Sequence, residues 1–177
     1  MKIKWIAFGL MAALAVVGSA QTWKLELRRQ LPLLGHRNWV VVVDSAYPLQ
    51  SSAGITTLWT GEDQVTVVRQ VLADLKKQKH VRPIIYLDKE LPMVPENAAP
   101  GITQYRKQLA NLLKGTEPLA MLHEEIIAKL DEAGKTFHVL VLKTNLTLPY
   151  TSVFFQLDCG YWSANKEKAL RKKMGGL

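Results

Sequence analysis

Four side chains of this 177-residue chain have types and settings suited to moving protons or holding hydroxyl groups: His36, Asp44, His123 and Tyr150. His36 follows Gly35 and precedes an apolar run, so it sits in an accessible turn, where a histidine is also commonly a surface or structural residue. Its reference pKa of about 6.5 suits proton exchange near neutrality. Asp44 ends the run Val40-Val41-Val42-Val43. Four consecutive β-branched residues read as a strand buried on both faces. The carboxyl end of such a strand is where open α/β sheets place ligand crevices, although an aspartate there also caps the following turn. His123 falls in a helical pattern with Leu119, Leu122, Ile126 and Ile127, as a functional group or as a hydrogen-bonded helix-face histidine. Tyr150 follows Pro149 where a loop enters a strand, either lining a site or acting as an aromatic plug. His36 and Asp44 lie at opposite ends of one strand, so joint action requires the chain to fold back or a neighbouring subunit to complete the site.

Other chemistries lack their signatures. Gly54 and Gly61 are isolated, so no glycine loop cradles a phosphate. The four histidines, His36, His80, His123 and His138, have no close zinc-ligand spacing among themselves. No Gly-x-Ser-x-Gly elbow occurs. Cys159, the single cysteine, has no internal disulfide partner and ends an apolar run, which reads as a buried, inert thiol. Asp88, Glu90 and Glu96 flank the proline-rich stretch Pro92 to Pro100; they line a pocket or keep that loop solvated, and solvation is the preferred reading.

These residues need elements to hold them. Trp23 to Leu34 reads as an amphipathic helix with Pro32 near its end, and Trp39 to Asp44 as the first strand. Ile55 to Trp59 is a short strand, and Gly61-Glu62-Asp63 opens a helix running to about Lys77. Val81 to Leu87 is a strand whose first part lies near an edge because of Pro83. Helices are expected over Ile102 to Leu113 and from Pro118 to about Ala133, strands over Phe137 to Leu142 and Ser152 to Leu157, and a last helix from Ser163 to about Lys173. Strands alternating with helices give a layered α/β domain. The helix-free connection between Val139-Leu140 and Phe154-Phe155 makes those strands antiparallel neighbours or not adjacent, hence a mixed sheet.

The first twenty residues stand apart. Lys2 and Lys4, the apolar stretch Trp5 to Val17, and Gly18-Ser19-Ala20 match a secretory signal, with a retained N-terminal anchor as the alternative. The expected location is therefore periplasmic or secreted. The net charge of +8 is concentrated partly in Lys166, Lys168, Arg171, Lys172 and Lys173. That tail reads first as a solvated helix face with cations near its C-terminus, and second as a weak contact with an anionic membrane surface. The aromatic–basic interleaving of nucleic-acid-binding proteins is missing, and no nucleic-acid partner is expected.

Two motifs together resemble the RbsD/FucU family, which contains D-ribose pyranase and L-fucose mutarotase. The opening one is Gly35-His36, Val40 to Val43, Asp44 and Pro48; the closing one is Pro149-Tyr150-Thr151-Ser152 entering Val153-Phe154-Phe155. The likeness covers roughly Leu25 to Gly160. It implies a single three-layer α/β/α, RbsD-like domain with a mixed sheet, placed here over residues 21–177, after the signal peptide read from composition over 1–20 and including the basic helix read over 163–177. It also implies a monosaccharide mutarotase or pyranase, an isomerase for a ribose- or fucose-like sugar that needs no cofactor or metal. His36 would be the general acid/base; Asp44, His123, Tyr150 and Ser152 would bind the sugar. Ser152 stands where the family usually has Asn, which removes an amide able both to donate and to accept. Family members form ring-like homo-oligomers with sites completed across subunit contacts, an arrangement that would reunite His36 with Asp44. A non-catalytic carbohydrate-binding protein of the same fold and an envelope-associated structural oligomer are the alternatives.

Overall fold

The computed structural model describes residues 22–175, so the stretch read as a signal peptide lies outside the described residues. Helix α1 covers 22–30 and buries Trp23 and Leu27, with Leu31 just past its end. It stops short of the expected Leu34 because Pro32 brings no backbone N–H; Leu33 and Leu34 turn back onto the Gln30 carbonyl instead.

The chain then forms β1 (Trp39–Val43), β2 (Ile55–Trp59), α2 (Gln64–Leu75), β3 (Val81–Asp88) and α3 (Ile102–Leu112). It continues through β4 (Leu119–Met121), α4 (His123–Gly134), β5 (Val139–Lys143), β6 (Val153–Cys159) and α5 (Ala164–Lys173). The strands form one six-stranded sheet in the order β2-β5-β1-β6-β3-β4. Only β6 runs against its neighbours, pairing antiparallel with both β1 and β3. The other pairs, β1 with β5, β2 with β5 and β3 with β4, are parallel. The helix-free connection from β5 to β6 thus skips over β1, which lies between them.

Burial follows the pleat. On one face Val40 and Val42 of β1, Leu140 and Leu142 of β5, and Val153, Phe155 and Leu157 of β6 pack under α1, α2 and α3. On the other, Trp39, Val41, Val43, Val139, Val141 and Phe154 meet Ile126 and Leu130 of α4. All four valines from Val40 to Val43 are fully buried, as expected of a strand covered on both sides. The result is a mixed α/β sheet covered by helices on both faces, more heavily on one.

One expected element is corrected. The helix expected from Pro118 is a short strand followed by a helix. Leu119–Met121 pair in parallel with Tyr86–Asp88, so sheet hydrogen bonds take this stretch before the helix begins at His123. Because β4 reaches only Tyr86–Asp88, Pro83 lies in the half of β3 left open on that side, where its missing N–H breaks no ladder.

Gly54 sets how closely β2 approaches the turn after α4. Its N–H donates to the Gly134 carbonyl at 3.1 Å and its carbonyl accepts from Val139 N–H at 2.8 Å. A Cβ there would overlap the Gly134 carbonyl and lie 2.5 Å from the Phe137 carbonyl oxygen. Gly54→Ala is expected to destabilise the domain by about 1–3 kcal/mol through overpacking, measured as a lower urea midpoint; an unchanged midpoint would contradict this packing.

Candidate functional site at the carboxyl edge of the sheet

The parallel strands β1, β3 and β4 end on one edge, and β6, running the other way, begins there. Four of the five expected site residues, Asp44, His123, Tyr150 and Ser152, therefore meet the same edge, and Asp88 joins them.

Asp44 follows β1 directly. One carboxylate oxygen, Oδ1, accepts from Ala46 N–H at 2.8 Å, so the residue does cap its turn; Oδ2 has no part in that bond. His123 is the first residue of α4 rather than a mid-helix position. Its backbone N–H donates to both oxygens of Glu90, at 3.1 and 3.2 Å. Leu122, at the N-cap, offers no capping side chain, so the Glu90 carboxylate answers the partial positive charge of the helix start. The His123 ring pairs through Nδ1 with Asp88 Oδ1 at 3.0 Å. The His123 side chain is 30% exposed and that of Asp88 is fully buried. Tyr150 packs against this ring in a T-shaped contact, 5.6 Å between centroids. Its backbone is left-handed, φ 56°, a conformation costing a bulky L-residue about 1 kcal/mol or more.

The entry to β6 is pinned from below. Thr151 carbonyl accepts from the Tyr105 hydroxyl at 2.6 Å and from Gln64 Nε2, and Gln64 Oε1 accepts from the Thr144 hydroxyl at 3.0 Å. Gln64, Tyr105, Thr144 and Thr151 are all buried, so this network fixes where Tyr150 and Ser152 emerge. Continuing the β3–β6 register one step past Leu87↔Val153 sets Asp88 opposite Ser152. Asp88 Oδ2 and Ser152 Oγ are both buried without a hydrogen-bond partner among the described residues.

Burial pushes the Asp88 carboxyl up to about 6; His123 opposes that shift, and the nearby charges of Glu90 and Asp44 add to it. Burial likewise raises the Tyr47 hydroxyl, with Asp131, Asp88 and Asp44 adding to the effect. A buried carboxyl poised near neutrality, a half-exposed imidazole and an exposed phenol together suit proton transfer to and from a hydroxylated ligand.

His36 is not part of this cluster within one chain. It precedes β1 at the opposite edge, and the five residues of β1 alone put about 16 Å between the two. There its Nδ1 lies 3.2 Å from Asp158 Oδ1, and Arg82 binds Asp158 at 2.6 Å. Burial tends to raise the Asp158 carboxyl, but hydrogen bonds from Arg82, the Cys159 N–H and His36 hold it below its ordinary value. A cleft of about 630 Å³ opens beside His36, Cys159, Tyr161 and Trp162. Cys159 is half-exposed there rather than fully buried.

The sequence favours Asp88 as a solvating residue of the proline-rich loop; the structure corrects this, since Asp88 is 1% exposed and joins the cluster at this edge. The signal that marks it is the one that marks Asp44: a carboxylate closing a β-branched, apolar run. Glu96, by contrast, is exposed and accepts from the N–H groups of Gly101 and Thr103 at the start of α3.

No family model matches the sequence, and no curated protein matches it. Among solved structures, Bacillus subtilis RbsD complexed with D-ribose is 22% identical, with a TM-score of 0.50 over 78% of this chain and 93% of that one. The fucose mutarotase from Streptococcus pneumoniae in complex with L-fucose is 19% identical, with a TM-score of 0.49 over 74% of this chain and 89% of that one. FucU from Bifidobacterium longum is 14% identical, with a TM-score of 0.45 over 74% and 91%. The likeness to the Bacillus subtilis protein establishes an RbsD-like α/β fold.

The buried Asp88 gives the pH dependence of stability a definite sign. Its native pKa, about 6, lies above the ordinary 3.8, so the stability it contributes is present below about pH 4 and is lost as pH rises through about 6. Relative to Asp88→Asn, the wild-type protein should lose up to about 3 kcal/mol between those limits, read from urea unfolding at both ends. A stability difference that does not change with pH would refute the burial of this charge.

Proposed function

We propose that the chain is a monosaccharide mutarotase or pyranase-like isomerase, interconverting anomers or ring forms of a ribose- or fucose-like sugar by acid–base chemistry. The single observation that carries this reading is the meeting of Asp44, His123, Tyr150 and Ser152 at one edge of the sheet. These are the positions that the family resemblance assigns to sugar binding. The fold shared with a protein solved with D-ribose supports the same reading. Opening a cyclic hemiacetal requires removal of the anomeric proton and protonation of the ring oxygen, and reclosing reverses both. A carboxylate, an imidazole and a phenol supply the acceptors and donors that hold the sugar hydroxyls. His36 serves as the general acid/base from a second copy of the chain, since its own Asp44 lies a strand length away. The functional unit is then a homo-oligomer with sites between subunits.

Saturation-transfer NMR across a panel of monosaccharides tests the activity. Faster anomer or ring-form exchange than in buffer is expected, with a loss of roughly 100-fold or more in His36→Ala. Full rate in His36→Ala would remove His36 from the mechanism. Saturable binding without exchange would select a non-catalytic sugar-binding protein, a reading motivated by Ser152 in place of Asn. Export through a cleaved signal peptide forms part of the proposal and rests on Lys2, Lys4 and the apolar stretch from Trp5 to Val17. The mass of the mature chain checks it: an N-terminus at Gln21 is expected, and an intact Met1 start would contradict it.

A further inference from the structure

Ring opening needs an acid and a base at once, and the reading above, on which this inference rests, provides only His36. We propose that His123 is the second proton-transfer group and that the buried Asp88 is its positioning residue, fixing the ring with Nδ1–H toward Asp88 and leaving Nε2 free for the sugar. Three observations support it. Asp88 Oδ1 lies 3.0 Å from His123 Nδ1, and its side chain is fully buried. The Glu90 carboxylate holds the His123 backbone N–H, and Tyr150 rests edge-on against the ring, so the imidazole is constrained on two further sides. Asp88 Oδ2 and Ser152 Oγ are buried, unpartnered among the described residues and set opposite each other across β3 and β6, so beside the imidazole both keep unused hydrogen-bonding capacity.

The step balances. Nε2 of neutral His123 takes the anomeric hydroxyl proton, and the freed electron pair forms the carbonyl. The bond from the anomeric carbon to the ring oxygen breaks with its pair on that oxygen, which takes a proton from His36 of a second copy. Ring closure returns both protons. The imidazolium formed at His123 donates Nδ1–H to the Asp88 carboxylate, which a neutral partner would stabilise less. The ionisable groups facing Asp88 are His123 on α4, Glu90 after β3, Asp44 after β1, and the hydroxyls of Tyr47 and Tyr105. Asp88 titrates near pH 6, so exchange should fall as the solution is acidified through that value.

Side-chain nitrogen NMR of His123 and sugar exchange, measured on the same full-length protein, test this. At about pH 8 the wild-type ring should carry its proton on Nδ1, and Asp88→Asn should mix the tautomers. The same variant should slow exchange by about tenfold or more and flatten its acid limb, with Asp88→Glu restoring part of both. A wild-type proton on Nε2 overturns the proposal without any variant, so it survives a variant that fails to fold. An Asp88→Asn protein with wild-type rate and pH profile overturns it as well. Absence of exchange in the wild-type protein rejects the isomerase reading and the proton-transfer role with it, whereas the tautomer signals separately report whether Asp88 positions the ring.

Discussion

The reversed direction of β6 is the constraint on which the site depends. Inserted between β1 and β3, it is held by antiparallel ladders on both sides, with Phe154 and Phe155 buried on opposite faces. Were it parallel, its entry would lie at the other edge, and Tyr150 and Ser152 would be far from Asp44 and His123. Because it is reversed, its first residues meet the carboxyl ends of the parallel strands and its last ones, Asp158 and Cys159, return to His36. One topological choice thus builds two polar centres at opposite edges and sets Tyr150 and Ser152 at the edge away from His36.

Buried polar groups keep β6 in place at its entry. Gln64 opens α2 and bridges Thr144 after β5 to Thr151 before β6, with Tyr105 of α3 sharing the Thr151 carbonyl. Each group finds a partner, so the network stabilises the arrangement instead of penalising it. A few residues away Asp88 Oδ2 and Ser152 Oγ have no partner among the described residues, although burial of this kind is costly. The contrast between a satisfied scaffold and unsatisfied atoms at the edge is the pattern expected where a ligand, rather than the protein, completes the hydrogen bonds.

Much of this was legible in the sequence. The run from Val40 to Val43 announced a strand buried on both faces, and the carboxylate ending it marked the edge where chemistry gathers. The helix-free path from β5 to β6 implied a mixed sheet. What remained hidden depends on pairing between distant segments. Leu119–Met121 looks helical by its neighbours and becomes a strand only because Tyr86–Asp88 offers it a ladder. That pairing moves His123 to the first turn of α4 and within reach of Asp88, which loop composition alone would leave solvated. The separation of His36 from the site is visible from strand length; what its far-edge surroundings would be is not encoded in any local pattern.

The central claim is that the carboxyl edge, with His36 supplied by another copy, is where a sugar binds. A crystal structure of the oligomer grown with D-ribose or L-fucose tests it most directly. The account predicts the sugar within hydrogen-bond distance, about 3 Å, of Asp44, His123 and Tyr150 of one copy and of His36 of a second. A sugar seated instead in the cleft beside His36 and Trp162 of a single copy, away from His123, would contradict it.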